Sequence, residues 1–201
     1  IIPSSLDAQR LPIKPLKLIN NKEMILHVYE AAKKSNAGEV YVATPDKAIF
    51  ELVSNYGGKA VLSSETHNTG TDRIFEVFKN TLKSLPNIIV NLQGDMPNIE
   101  PKIIKNLINY MQQGKCEVGT LASEIKNNFE LEDENIVKVL VKEKLKEGIF
   151  SEALDFLRVN PGKDYKTYHH VGIYAFTSIA LTKYVSLKRS KLELNRKLEQ
   201  L

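Results

Sequence analysis

Only one cysteine, Cys116, occurs in the chain. A lone thiol excludes an intrachain disulfide and a Cys₄ zinc site, and it fits a reducing compartment. No apolar run is long enough to span a bilayer, and no signal-peptide pattern is present. The expected location is therefore the cytoplasm, with no membrane insertion. Neither sign of charge dominates, since 28 Lys and Arg against 24 Asp and Glu leave a formal net charge of +4. The lysines are scattered, which suits small anionic ligands and gives no indication of nucleic acid. Internal repeats and low-complexity tracts are absent as well. What remains is an ordinary globular composition, 42% hydrophobic and 26% charged. Its 201 residues can bury a sizeable core within one domain, 1–201.

Hydrophobic spacing predicts alternation. A strand end at 1–3 is followed by a helix over 24–35, where Ile25, Val28, Tyr29 and Ala32 share a face. A strand at 39–43 and a helix at 46–56 follow, the helix ended by Gly57-Gly58. Next come a strand at 59–62, a helix at 71–85 opened by Thr71-Asp72, and a strand at 88–91. A helix at 101–113 starts on Pro101, and a strand at 117–122 closes this part. Such alternation indicates an α/β fold with a mostly parallel sheet and helices on both faces. Beyond Ser123 the spacing predicts strands at 136–141 and 166–176 and helices at 178–186 and 191–201. Residues 142–166 are weakly patterned and read as a loop or lid.

Two segments carry chemistry. Ile88-Ile89-Val90 breaks into Asn91-Leu92-Gln93-Gly94-Asp95-Met96-Pro97, a buried strand whose C-terminal end turns polar. Ligands bind at that end in open α/β sheets. Gly94 permits close backbone approach, and Asp95 is a hard oxygen ligand for Mg²⁺ or, alternatively, a helix cap. The other segment follows the first strand: Pro3, Ser4 and Ser5, then a Pro-punctuated loop with Arg10 and Lys14 four residues apart. A carboxylate facing two fixed cations points to a metal–triphosphate site.

These motifs, in order, resemble those of the 3-deoxy-manno-octulosonate (Kdo) cytidylyltransferases. The resemblance runs from Pro3 to Leu16 through Val42-Ala43-Thr44, His67 to Arg73 and Val90 to Pro97. It continues with Asn135 to Val139, Ala153 to Arg158, His170 to Phe176, Leu192-Glu193 and Leu198 to Leu201. It implies a three-layer fold like that of the nucleotide-diphospho-sugar transferases. The implied activity is transfer of a cytidylyl group from CTP to Kdo, giving CMP-Kdo and pyrophosphate for lipopolysaccharide biosynthesis. A homodimer is also expected.

The resemblance implies a role for each site residue. Asp95 is the Mg²⁺ ligand. Arg10 and Lys14 stabilise the triphosphate, with Pro3, Ser4, Ser5, Gln93 and Gly94 around the nucleotide. Arg73, Gln93, Arg158, His170, Tyr174, Glu199 and Gln200 bind the sugar acid, and a second metal-binding Asp is expected in a further C-terminal segment. Arg73 has its own electrostatic argument. A cation at a helix N-terminus opposes the macrodipole and calls for an anion, which a substrate carboxylate would supply. On bland readings His67 is a neutral surface residue and His170 a hydrogen-bonded core or edge residue. The chain departs from the family pattern at Ser5 (usually Arg), Ile13 (often Gly), Pro45 (often Asp), Leu157 (Ser) and Arg196 (Glu). The other readings are a CMP-sialate synthetase-like enzyme and a catalytically impaired nucleotide-binding paralogue.

Overall fold

The computed structural model describes residues 1–7, 11–64, 66–82, 86–114, 116–162 and 165–201. Arg10 lies outside them. The first strands are β1 (Ile2–Pro3), the hairpin β2 (Leu18–Ile19) and β3 (Lys22–Glu23), then β4 (Val42–Thr44) and β5 (Ala60–Leu62). Helices α1 (Met24–Lys34), α2 (Lys47–Asn55) and α3 (Gly70–Thr81) alternate with them. There follow β6 (Ile88–Leu92), α4 (Pro101–Met111), β7 (Val118–Ser123), α5 (Asn128–Glu132), β8 (Lys138–Val141), β9 (Ala153–Leu157) and β10 (Lys166–Thr177). Helices α6 (Ser178–Ser186) and α7 (Lys191–Arg196) complete the order.

The expected parallel sheet forms in the first part only. β1, β4 and β5 pair in parallel. β6 lies beside β1, because the Ile1 nitrogen donates to Val90 O (2.7 Å) and Leu92 N–H donates to Ile1 O (3.1 Å). Beyond β6 every strand pairing among the described residues is antiparallel, and the 12-residue strand β10 meets β6, β7 and β8, with β9 joined through β8. The expectation of a mostly parallel sheet is therefore corrected to a mixed one. Parallel partners need a crossover of a dozen or more residues, usually a helix, whereas β8 and β9 form a hairpin and β10 returns antiparallel to β6, β7 and β8.

The weakly patterned interval 142–166 also differs from expectation. It contains β9, which pairs antiparallel with β8. Apolar residues fill both faces of that strand although only Phe156 is buried, so the sequence shows no alternation.

Side chains of β6 and β10 sort onto two faces. Leu92, Ile173 and Ala175 join the core against α1 and α4, while Ile89, Tyr174 and Phe176 pack against α3 and α6. The period-2 alternation of a strand produces this sorting. Asn91 lies opposite Tyr174 in the register and shares its face. A polar residue thus sits in an otherwise apolar row, fully buried.

The candidate active site

The end of β1 and the end of β6 converge. A Cβ added to Gly94 would stand 3.0 Å from Pro3 O and 3.4 Å from Ser4 Cβ, so a side chain there would press on the Pro3 backbone and glycine suits this close approach. Beyond this junction Lys14 Nζ meets Asp95 Oδ2 at 2.7 Å, with the two side chains 35% and 53% exposed. Asp95 lies in a turn, and the next helix does not begin until Pro101, so the helix-cap reading of Asp95 is set aside. Lys14 opens a 3₁₀ turn, Lys14–Leu16, behind Ile13. Where glycine is expected, Ile13 is left-handed at φ 52°, a conformation that a β-branched residue adopts only under strain. Leu6 N–H donates to Asp46 Oδ2 at 2.9 Å, which ties the start of this loop to α2 beside Pro45. Ser4 is buried, and its Oγ finds no partner among the described residues. Ser5, one residue on, is partly exposed.

A second cluster lies beside the first. Thr71 Oγ donates to Glu199 Oε1 (2.7 Å), and the Tyr174 hydroxyl donates to Gln200 Oε1 (3.2 Å). Burial pushes the Glu199 carboxyl above the usual carboxylate range, and hydrogen bonds from Thr71 and Thr69 pull the other way. His170 is buried, stacked edge-on against Phe156 with ring centroids 5.0 Å apart, and 2.9 Å from Thr120 Oγ. The single Thr120 proton serves the Ile173 carbonyl at 2.7 Å, so His170 carries its own proton on Nε2 and leaves Nδ1 as the acceptor.

Burial lowers the His170 imidazole to about 4. The unfolded chain takes up a proton near pH 6.5 that the native imidazole refuses until about pH 4. Stability contributed by neutral His170 is thus complete above pH 6.5 and falls as pH drops through that window, by about 3 kcal/mol in full. Urea denaturation at pH 7.5 and 4.5 should show a smaller acid loss in His170→Gln than in wild type. Equal losses would place the acid sensitivity elsewhere.

Several expectations are revised. The α3 cap is Thr69, not Thr71. Thr69 Oγ accepts Asp72 N–H and Asp72 accepts Thr69 N–H, each at 3.1 Å. This capping box frees Thr71 to face Glu199. Helix α7 ends at Arg196, because Lys197 is left-handed at φ 53°, so Glu199 and Gln200 are not helical. Leu194 is 58% exposed and forms no apolar stripe with the buried Leu198. Arg196 donates to Asp155 Oδ1 (2.7 Å) and Phe156 O (2.9 Å), which ties the C-terminal segment to β9 and gives that departure a structural role.

Arg73 is held from outside its own helix. Its guanidinium is buried, bonded to Ser63 Oγ and to Ser64 O (3.0 Å), with Asp46 and Glu76 opposite its charge. Both bonds use Nη1 and go to neutral oxygens, so the reading of Arg73 as a binder of the substrate carboxylate stands as a proposal. His67 is likewise engaged, 2.5 Å from Glu76 Oε2. Arg158 donates to Glu134 O (3.1 Å) at the far end of β9, and no hydrogen bond joins it to the Glu199–Gln200 cluster among the described residues.

Residue reasoning missed Asn91, Thr71 as a site residue, Thr120 and Lys138. Asn91 had a signal, because Ile89, Asn91 and Gln93 alternate onto one face. The other three had none, since their roles come from partners distant in sequence. A cavity of about 590 Å³ lies at the opposite strand ends, lined by Val40, Tyr41, Asn87 and Ile88. It contains none of these groups.

No group of three or more His, Cys, Asp or Glu side chains able to cage a metal occurs among the described residues. Asp95 alone fits an ion held by one carboxylate and substrate phosphates, as is usual for Mg²⁺. The buried, unpartnered Ser4 hydroxyl beside it fits a ligand rich in acceptors.

Comparison with known proteins gives the site a context. A family model described as cytidylyltransferase matches residues 1–201. The 3-deoxy-manno-octulosonate cytidylyltransferase of Bartonella tribocorum is 38% identical over 203 residues, covering 100% of this chain and 83% of that protein. The 8-amino-3,8-dideoxy-manno-octulosonate cytidylyltransferase of Shewanella pealeana is 38% identical over 207 residues, with coverage of 100% and 83%. A solved CMP:2-keto-3-deoxy-manno-octonic acid synthetase complexed with CTP superposes with a TM-score of 0.87 at 36% identity, covering 99% of this chain and 81% of that one. A family match over the whole chain, joined to relatives at this identity over most of their own length, shows that the chain belongs to the cytidylyltransferases.

Proposed function

We propose that this cytidylyltransferase joins CTP to Kdo, releasing pyrophosphate and giving CMP-Kdo for lipopolysaccharide assembly. The observation that carries the reading is the Lys14–Asp95 pair, set where Gly94 packs on Pro3 and Ser4. A triphosphate needs fixed cations around its leaving group, and a carboxylate that can hold a divalent ion close by. Lys14 supplies one cation, and Arg10 is proposed as the other from the loop motif. Asp95 would hold Mg²⁺, whose chemistry there is neutralisation of phosphate charge. The Kdo anomeric hydroxyl attacks the α-phosphorus in line and gives its proton to solvent, the bond to the pyrophosphate oxygen breaks, and Lys14 balances charge on the departing group. Among the described residues Asp95 is exposed and ion-paired and His170 is buried, so neither is placed as a general base.

The sugar acid is proposed against the second cluster. Gln93 Nε2 donates to Asn91 Oδ1, which leaves the Gln93 carbonyl as an acceptor. Glu199 is a second acceptor. Gln200 Oε1 is occupied by Tyr174, which leaves its NH₂ as a donor. A polyhydroxylated acid satisfies such a set. His170 Nδ1 is proposed as a further acceptor beside it, and Arg158 as a binder only on the resemblance. Arg73, with one guanidinium nitrogen bonded to the Ser63-Ser64 loop, is proposed to bind the sugar-acid carboxylate on the resemblance. The finer architecture proposed is a three-layer single domain, 1–201, acting as a homodimer in the cytoplasm. No helix among the described residues is long and apolar enough to cross a membrane.

Thermal unfolding with each nucleoside triphosphate and Mg²⁺ tests the nucleotide. At 100-fold over its Kd, CTP should add about 2.7 kcal/mol, a rise of roughly 5–10 °C. ATP, GTP and UTP should add far less. Equal shifts from all four would reduce the site to a generic phosphate binder.

A further inference from the structure

Hydrogen bonds run in one direction through a buried strip between the two clusters. Gln93 Nε2 donates to Asn91 Oδ1 at 3.2 Å, Asn91 Nδ2 donates to Thr71 Oγ at 3.0 Å, and Thr71 Oγ donates to Glu199 Oε1 at 2.7 Å. With Glu199 ionised the order of protons follows. A carboxylate only accepts, so Thr71 gives it the single hydroxyl proton, and the Thr71 oxygen then takes the Asn91 amide N–H from behind. Both ends of the Asn91 amide are then matched, which fixes its orientation. Asn91 is 0% exposed and Thr71 is 1% exposed, and Asn91 shares a strand face with Ile89, Tyr174 and Phe176. An apolar residue would fit that row. A buried amide there is costly unless every polar atom is paired, and here the pairing leads from the metal-side motif to the C-terminal segment. The capping box at Thr69 leaves the Thr71 side chain available for this path, although Thr71 lies in the first turn of α3.

We propose that Asn91 and Thr71 are positioning residues, which aim the Glu199 carboxylate at the sugar acid and link its placement to Gln93. The inference rests on the reading that the sugar acid lies against Glu199 and Gln200.

Steady-state kinetics on the full-length enzyme test it. Turnover of wild type with CTP and Kdo is measured first and tests the underlying reading by itself. Thr71→Val keeps the shape and removes the donor. It should raise the KM for Kdo roughly tenfold or more and leave the KM for CTP within about twofold, since one charge-assisted hydrogen bond is lost on one side only. Thr71→Ser should restore the Kdo KM to within about threefold, because it keeps the hydroxyl. Combined with Glu199→Ala, Thr71→Val should add no further loss, because the two act through one contact. Asn91→Ser, which keeps a polar group but cannot span to Thr71, should reproduce the split if Thr71→Val folds poorly. Active wild type with both KM values raised alike, or with additive losses in the double variant, overturns the proposal.

Discussion

Asp95→Asn is expected to slow nucleotidyl transfer roughly a thousandfold, the kinetic equivalent of about 4 kcal/mol. The substitution keeps the shape of the side chain and removes the charge that both Lys14 and a divalent ion would use. Stability should hardly move. The Asp95 side chain is 53% exposed and its Lys14 partner 35%, and exposed ion pairs contribute about 0–1 kcal/mol. Turnover and urea denaturation of one preparation separate the two effects. An Asp95→Asn enzyme with near-normal turnover would make the Lys14–Asp95 pair a surface ion pair and move the metal site elsewhere.

The opposite signature is expected at Lys138. This lysine is 0% exposed, with Nζ donating to Asp133 O (2.7 Å) and Arg158 O (2.6 Å). Burial pushes its ammonium below the usual lysine range, and the nearby charges of Asp133, Glu132 and Glu134 act against that shift. It knots the loop before β8 to the end of β9, and the neighbouring residue Val137 accepts His170 N–H at 2.8 Å. Lys138→Met fills the same space and strands two carbonyls that a charged donor had satisfied. The expected cost is about 3 kcal/mol, a fall in Tm of roughly 6–12 °C. At a temperature where the variant is folded, CTP should bind it as it binds wild type. An unchanged Tm would mean that water replaces the ammonium at both carbonyls.

Sequence reading reached furthest where chemistry is local. The breaks after β1 and β6 mark strand ends because polar residues and glycine follow apolar ones abruptly, and the structure joins those ends at Gly94 and Pro3. It reached least where pairing is distant. Nothing in the 12 residues of β10 announces that they pair with three strands. Nothing near Arg73 announces that Ser63, Ser64, Asp46 and Glu76 will surround it. A helix-dipole argument considers only the residue's own helix, and the Ser63 and Ser64 oxygens on Arg73 come from outside it. At α7 the leucine spacing predicted continuation to residue 201. The left-handed Lys197 ends the helix instead and turns Glu199 back toward Thr71. The family resemblance supplied the proposed site residues, and it marked Ile13 and Arg196 as departures from the family pattern, where the structure shows a left-handed backbone and a bond to Asp155.

The most direct measurement follows the products by ³¹P NMR, with the full-length enzyme, Mg²⁺, CTP and Kdo. The account predicts pyrophosphate and a CMP sugar phosphodiester appearing together in equal amounts. Neither should form without Kdo, and ATP in place of CTP should give only a trace. Kdo-independent release of phosphate or pyrophosphate, or equal product from ATP, would contradict it.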